Sequence, residues 1–490
     1  MAKSQWTFET AIGLSRALAR KEVSSVELTE HAIARIERHD AKINAVCVRD
    51  FDRARDAARA ADGARARGET RPLLGIPMVI KESFNLAGTP TTWGMPAQKD
   101  FHPKEDAVAV ARIKEAGGVI LGKTNVPLAL GDWQSYNDIY GTTNNPYDLT
   151  RTPGGSSGGS SAALAAGYGS LSIGTDLAGS LRVPAFHCGV FAHKSTQGLV
   201  PIRGHVPPPL PALPTDRDMG SIGPMARSAA DLTLLLDVIA GPDPLEAGKA
   251  YRLSLPPPRH ADLKNFRVLV IESDPVAPTD TVVRSAIDQL ATNLAKAGVN
   301  VARESPLWPD FGAAFRLFMR MLMSALSVGF PPEVYANLVT AAANLPADAM
   351  NGQAERLRGI ALSHRDWVMA DNARLRLRAE WRALFESFDA VICPVMSTPA
   401  FPHDHNPEQE KRRITIDGKE FSFVDQMAWQ GVANLTGLPA TAIPVGFAPD
   451  GLPVGVQIVG PWLEDRTPLK LAELIEHAFG GFVPPPAFDD

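Results

Sequence analysis

The sequence predicts an α/β layer fold built on a largely parallel or mixed sheet. Short apolar segments typical of strands alternate with segments of helical periodicity, as in a strand at 267–272, a helix at 281–297 and a strand near Val299. A length of 490 residues is enough for one large core or two smaller ones. The 45% hydrophobic and 21% charged contents are ordinary for a globular enzyme.

The amino-terminal elements follow from hydrophobic spacing. Apolar side chains within residues 1–65 recur at near-helical intervals, which predicts two or three amphipathic helices. Residues 73–81 form a short apolar strand that ends in Lys81. Residues 104–117 indicate a helix, and residues 119–121 indicate a second buried strand.

The rest of the chain carries different signals. Residues 150–200 are rich in Gly and Ser, so the backbone there must turn tightly or approach another group closely. A helix is expected at 229–239. Residues 310–380 are almost wholly helical, and such an insertion between strands is a natural lid or substrate pocket. Strands return at 390–394 and 441–445.

Charge and composition exclude several classes of protein. A formal net charge of −5 without a basic stripe argues against a nucleic-acid surface. The amino terminus lacks the apolar core of a signal peptide, and no window reaches the roughly 18 apolar residues that span a bilayer. Cys47, Cys188 and Cys393 lie far apart without metal-ligand spacing, which fits a reducing compartment. We therefore expect a cytoplasmic protein with no membrane, nucleic-acid or metal partner.

Residues 117–124 satisfy the pattern of a phosphate-binding loop, Gly followed by four residues and Gly-Lys-Thr. Such a loop must follow a strand and wrap phosphate with its N–H groups, but its middle positions here are Val-Ile-Leu, which favour a strand. Pro127 also stands where an established helix should be donating hydrogen bonds. The segment is therefore not expected to bind a nucleotide.

Residues 154–159 contain two overlapping Gly-x-Ser-x-Gly frames, the nucleophile-elbow pattern of α/β-hydrolases. That elbow needs an apolar strand directly before it, whereas residues 147–153 are polar and end in proline. A flexible Gly/Ser linker fits no better, because the segment runs straight into a helix start at 162–166. Neither interpretation accounts for the whole Gly- and Ser-rich stretch.

The whole stretch closely resembles the amidase signature family. Residues 151–162, Arg-Thr-Pro-Gly-Gly-Ser-Ser-Gly-Gly-Ser-Ser-Ala, lead to residues 174–185, Gly-Thr-Asp-Leu-Ala-Gly-Ser-Leu-Arg-Val-Pro-Ala. Lys81, at the end of Gly-Ile-Pro-Met-Val-Ile-Lys, is similar to that family's catalytic lysine. It precedes Ser156 by 75 residues, and Ser156 precedes Ser180 by 24, as in the family. Further family-like blocks extend the resemblance over nearly the whole chain: 122–125, 436–439 and 451–457.

The resemblance implies a single α/β/α domain over residues 1–490, with helices on both faces of a twisted mixed sheet. Within it, amino-terminal helices occupy 1–65, the signature core 70–230 and a helical insertion 310–380, the expected substrate pocket or lid. The resemblance also implies an amidase that needs no cofactor and acts on a small-molecule amide. It does not select among aryl amides, aliphatic amides, nylon-type oligomers and carbamates as substrates. The expectation of a homodimer comes from the family resemblance alone.

The resemblance also implies the reaction. Ser180 attacks the amide carbonyl and forms an acyl-enzyme, Ser156 relays protons, and Lys81 is the base. A free lysine, with a pKa of about 10.4, is protonated at neutral pH, so burial must lower the pKa of Lys81. The family places the relay serine after a cis peptide bond, where Gly155 relieves crowding.

Consecutive backbone N–H groups are implied to bind the oxyanion, those of Leu177, Ala178, Gly179 and Ser180. The family has Gly where Ala178 stands. The added methyl group removes no N–H donor, but it narrows the oxyanion-binding site or fixes a backbone angle there. It is therefore expected to affect which acyl groups the enzyme accepts. Other residues implied at the site are Leu130, whose backbone lines it, and the supporting residues Ser157, Asp176 and Arg182.

Aromatic and Met side chains within 311–335, together with Trp133 or Trp429, are candidates for the acyl pocket. Most of those in the helical region are equally typical of a buried helix interface, which is the interpretation favoured here. Four histidines near the signature or in a late loop have no identifiable partner and are interpreted as structural or surface residues: His187, His193, His403 and His405. The last two reach substrate only if their loop caps the pocket.

Two other functions stay open. A glutaminase-type component of an aminoacyl-tRNA amidotransferase uses the same triad inside an obligate complex, and its isolated chain should not act alone on simple amides. A non-catalytic binding scaffold is the other, and the joint retention of Lys81, Ser156 and Ser180 argues against it. Esterase activity overlaps with the main hypothesis, because an acyl-enzyme route also cleaves activated esters.

Overall fold

The computed structural model describes residues 5–214 and 217–489. Residues 1–4, which belong to the amino terminus that lacks a signal-peptide pattern, lie outside this range. The strands, in chain order, are β1 (Val46–Arg49), β2 (Pro77–Lys81), β3 (Val119–Thr124), β4 (Tyr136–Asn137), β5 (Gly141–Thr142), β6 (Leu171–Asp176), β7 (Phe191–Lys194), β8 (Ser221–Ala226), β9 (Arg267–Val270), β10 (Asn300–Ala302), β11 (Ala390–Cys393), β12 (Arg413–Ile416), β13 (Lys419–Ser422), β14 (Ala440–Phe447) and β15 (Pro453–Val459).

The α-helices surround these strands in the sequence. They are α1 (Ala11–Ala19), α2 (Ser25–Ile43), α3 (Phe51–Ala66), α4 (Val108–Glu115), α5 (Gly158–Ala165), α6 (Arg182–His187), α7 (Ala229–Ile239), α8 (Thr281–Lys296), α9 (Phe311–Ser327), α10 (Pro332–Ala343), α11 (Gly352–Ile360), α12 (His364–Ser387), α13 (Ala428–Asn434) and α14 (Arg466–Phe479).

Eleven strands form one mixed sheet in the order β1-β3-β2-β6-β8-β7-β14-β15-β11-β9-β10. β3, β2 and β6 run parallel, as do β11, β9 and β10, while the strands between these two groups pair antiparallel. The other four strands make two small hairpins, β4-β5 and β12-β13. The predicted α/β class with a mixed central sheet is confirmed.

Local interpretations of the sequence agree in large part with the structure. The first 65 residues hold three helices, as expected, together with β1, which was not predicted. β3 extends through Gly122, Lys123 and Thr124, so the phosphate-loop pattern is a strand, as the physical reasoning against a nucleotide loop requires. The helical insertion comprises α9 to α12, with interruptions at Pro331 and Pro346.

Two apolar clusters divide the core. The larger joins the amino-terminal helices and most of the sheet, and the smaller packs α9, α12 and α13 together. Phe315, Phe318 and Met319 belong to the smaller cluster, so the favoured interpretation of these side chains as a helix interface is confirmed. Trp429 is fully buried there, 4.8 Å from the ring of Phe311.

Candidate active site

The candidate site begins at the carboxyl ends of two adjacent parallel strands. Lys81 is the last residue of β2, and Asp176 is the last residue of β6. Because parallel neighbours end at the same edge of a sheet, the two strands bring these side chains together from segments far apart in sequence. All five residues of β2 are buried, so Lys81 emerges inside the protein rather than at its surface.

Lys81 is held by two hydroxyl groups. Its Nζ donates to Ser156 Oγ at 2.7 Å and to Thr175 Oγ1 at 3.0 Å. The side chain is completely buried, and this burial lowers its pKa from 10.5 to about 7, although the carboxylates of Asp176 and Glu82 oppose the change. Near neutral pH a large fraction of the amine is therefore unprotonated and able to accept a proton.

Ser156 lies in the loop that leads into α5. The Gly155–Ser156 peptide bond is cis, as the resemblance implied. Gly155 is required here, because a Cβ atom would lie 2.4 Å from the carbonyl oxygen of Asp132. The Ser157 N–H donates to the carbonyl oxygen of Ser180 at 3.2 Å, which ties this loop to the turn after β6.

Ser180 is half-buried and lines the same pocket as Ser156. Its hydroxyl makes no hydrogen bond within residues 5–214 and 217–489, so it is available to a bound molecule. Hydrogen bonds between catalytic side chains are commonly long or absent in unliganded enzymes and tighten in the substrate complex.

The four proposed oxyanion donors are not equivalent. The Gly179 N–H already donates to Asp176 Oδ1 at 2.8 Å. The N–H groups of Leu177, Ala178 and Ser180 have no acceptor among the described residues. Gly179 has φ of 91°, a left-handed value that favours glycine. Among the described residues, the turn therefore offers three backbone N–H groups without an acceptor. The fourth N–H group, that of Gly179, holds the turn to Asp176.

A buried ion pair supports this turn. The guanidinium of Arg182 and the carboxylate of Asp176, both fully buried, are 3.0 Å apart. Burial alone would raise the pKa of Asp176, but Arg182 holds it well below its usual range. Arg182 also donates to side-chain or backbone oxygens in the carboxyl-terminal part of the chain, those of Gln430, Asn434 and Gln457. The resemblance implied that Asp176 and Arg182 support the site, but neither their ion pair nor these three partners was predicted.

The pocket above Ser180 is a small cavity of about 130 Å³ that opens towards solvent. Leu130 and Trp133 line it, as expected, and Leu322 and Leu326 of α9 join them. Trp429 does not reach it, since it is buried in the core. Further lining residues were missed from the sequence, among them Trp93, Thr175, Ile202, His205 and Arg217.

The four histidines of the signature region and the late loop lie elsewhere. His193 is buried against Asp465 at 3.1 Å, and His187 is buried with its ring centroid 5.5 Å from that of Phe401. His405 stacks on Tyr136 with 3.7 Å between ring centroids, and His403 contacts Asn144. None of them lines the pocket that contains Ser180. The described part of the chain holds no cluster of three or more metal-ligating side chains, and none of its helices is long and apolar enough to cross a membrane.

Comparisons with known proteins agree with this geometry. The sequence model of the family described as Amidase matches residues 27–469. The chain is 32% identical to fatty-acid amide hydrolase 2-A of Danio rerio over 97% of this chain and 90% of that protein. It is 33% identical to one subunit of the glutamyl-tRNA(Gln) amidotransferase of Roseiflexus sp. (strain RS-1) over 93% of each chain.

Among solved structures, the fold is similar to one described as a vestigial protein complex that reveals the origins of an s-triazine catabolic enzyme. The TM-score is 0.80 with 29% sequence identity, over 97% of this chain and all of that one. With a family match over most of its length and relatives of about one-third identity along nearly all of it, the chain belongs to the amidase signature family and is an amidase, an enzyme of carbon–nitrogen amide bonds.

Proposed function

We propose that the chain hydrolyses a carboxylic amide through an acyl-enzyme on Ser180 and releases a carboxylate and an amine or ammonia. The observation that carries this proposal is the 2.7 Å contact between Lys81 Nζ and Ser156 Oγ, made by a buried lysine with a pKa of about 7. A lysine held in this way is suited to general-base catalysis at neutral pH.

The proton path follows from these contacts. Neutral Lys81 accepts the proton of the Ser156 hydroxyl, Ser156 accepts that of Ser180, and the Ser180 oxygen attacks the carbonyl carbon. The N–H groups of Leu177, Ala178 and Ser180 stabilise the oxyanion. The protonated lysine then returns the proton through Ser156 to the departing nitrogen. A water molecule hydrolyses the acyl-enzyme along the same path.

The pocket supports an acyl group with an apolar portion. Its walls include Leu130, Trp133 and Phe423, with Leu322 and Leu326 at the α9 side. Such walls suit alkyl or aryl groups, and aryl amides and carbamates are within this class. Fold alone does not select among them, because related folds carry different pockets.

A glutaminase-type component of an amidotransferase is the second candidate, supported by the 33% identity to such a chain. The two functions differ in what the isolated chain does. We expect the purified chain to hydrolyse simple amides alone. Activity that appears only with partner proteins and with glutamine as amide donor would favour the second function.

Active-site labelling tests the catalytic assignments. We expect a fluorophosphonate to modify Ser180 in the wild type, to leave Ser180→Ala unlabelled and to react at least about 100-fold more slowly with Lys81→Met. Lys123→Met is the matched control, because Lys123 is also a fully buried lysine, near the end of the neighbouring strand β3, with a pKa lowered by burial to about 8. Labelling of Ser156 or Ser157 that is indifferent to Lys81 would contradict the proposal.

Two further properties belong to the same proposal. The three cysteines of the chain are free thiols, which supports a cytoplasmic location and is checked by cell fractionation. A homodimer is expected from the family alone, and light scattering on the purified protein measures it.

A further inference from the structure

One charged side chain in the pocket has no counter-ion within residues 5–214 and 217–489. Arg217 is half-buried on the pocket wall, and its guanidinium makes no hydrogen bond or ion pair within the described part of the chain. The guanidinium carbon lies 5.9 Å from the centroid of the Trp93 ring. Burial lowers the pKa of this guanidinium.

The other formal charges at the pocket are paired within the protein. Asp132 contacts Arg412 at 2.5 Å, and Asp176 contacts Arg182 at 3.0 Å. The residue that follows Arg217 in the chain, Asp218, pairs with Arg374. Among the residues that the structure describes, the positive charge of Arg217 is therefore not balanced by a carboxylate, and it lies beside a largely apolar cavity.

The surface beneath Arg217 is firmly held. The indole N–H of Trp93 donates to the carbonyl oxygen of Ser83 at 3.0 Å, and His205 contacts the hydroxyl of Ser83 at 3.0 Å. The two rings lie 4.9 Å apart. Burial, aided by the positive charges of Lys81 and Arg217, keeps the pKa of His205 well below its usual range, so the ring is neutral and offers no competing charge. The guanidinium thus rests on an ordered aromatic platform.

We propose that Arg217 binds a carboxylate of the substrate, so that the enzyme acts on amides that carry a second, anionic group. This inference rests on the proposed amidase reaction at Ser180. A guanidinium is the side chain best matched to a carboxylate, which it binds through two parallel N–H bonds. Ile202, Leu322 and Leu326 line the same cavity and suit a short methylene spacer between the anionic group and the amide.

Paired substrates test the charge requirement. Succinamate and glutaramate carry the carboxylate on the acyl half, and N-acetyl-β-alanine carries it on the amine half. Their neutral counterparts are, in the same order, butyramide, valeramide and N-propylacetamide. We expect at least one anionic amide to exceed its neutral counterpart in kcat/KM by about 10- to 100-fold, and Arg217→Gln to abolish this preference. Arg217→Lys should retain part of it. Arg382→Gln, at an exposed arginine of α12, should change nothing.

A binding measurement separates this inference from the reaction itself. In a Ser180→Ala background, calorimetry with glutarate should show binding that Arg217→Gln weakens about 10- to 100-fold. Binding that depends on Arg217 in a protein that hydrolyses no amide would support the anion site and contradict the proposed reaction. Hydrolysis of neutral amides that is unchanged in Arg217→Gln, with no glutarate binding, would overturn the inference and leave the reaction intact.

Discussion

The pKa of Lys81 leads to a specific pH dependence of the reaction rate. Below this pKa the lysine is protonated and cannot act as the base, and above it the base is fully available. With a pKa of about 7, kcat/KM should rise about 100-fold between about pH 5 and about pH 9 and reach a plateau near pH 8. At the ordinary lysine value of 10.5 the rise over the same range would be about 10,000-fold, without a plateau.

An activated ester is the substrate of choice for this assay, because its leaving group needs no proton and the profile then reports the base alone. The Thr175→Val variant sharpens the test. It removes the 3.0 Å hydrogen bond that Thr175 accepts from Lys81, which favours the charged form, so the inflection should move to lower pH. A profile that climbs steadily to about pH 10, or an inflection that Lys81→Met leaves in place, would refute the reasoning.

Three further variants follow from the same structure. Lys81→Met should be more stable to urea unfolding than wild type by up to about 5 kcal/mol at about pH 6. The free-energy cost of burying the charged lysine is full below its folded pKa of about 7 and falls as the pH rises towards 10.5. The difference in stability should therefore shrink over that range, and a difference that does not change with pH would contradict the prediction. Asp176→Asn leaves Arg182 buried without its counter-ion and should cost about 3–5 kcal/mol of unfolding free energy; a loss below about 1 kcal/mol would mean that the pair is not buried as described. Gly155→Ala places a methyl group 2.4 Å from a backbone oxygen and should lower Tm by several degrees, whereas Gly446→Ala, with no atom within 4 Å of its Cβ, should change Tm much less; equal shifts would contradict the packing.

The sequence was sufficient to predict the site residues that lie within the family's signature motifs. Lys81, Ser156 and Asp176 lie in motifs whose spacing could be recognised, and the structure brings them together at one edge of the sheet. The apolar strand before Lys81 also made its burial predictable, since a strand buried on both faces reads as a continuous hydrophobic run.

Other parts of the site depend on tertiary contacts that no local pattern encodes. Arg217 follows a proline-rich stretch with no periodicity, so only the folded chain shows that it reaches the pocket. The Gly179 N–H is engaged by Asp176, which cannot be deduced from the order of residues in the turn. Strands β8 and β15 contain Gly and, in β8, Pro at inner positions, signals that argue against a central strand when read alone.

The contacts of Arg182 with Gln430, Asn434 and Gln457 make the turn at residues 177–180 dependent on chain that is synthesised some 250 residues later. A product interrupted before α13 would retain Lys81, Ser156 and Ser180 yet leave the charge of Arg182 only partly satisfied. During translation, the enzyme is therefore expected to stay inert until almost the entire polypeptide has emerged from the ribosome. A premature stop codon anywhere before codon 428, where α13 begins, should therefore abolish activity as completely as the loss of Ser180.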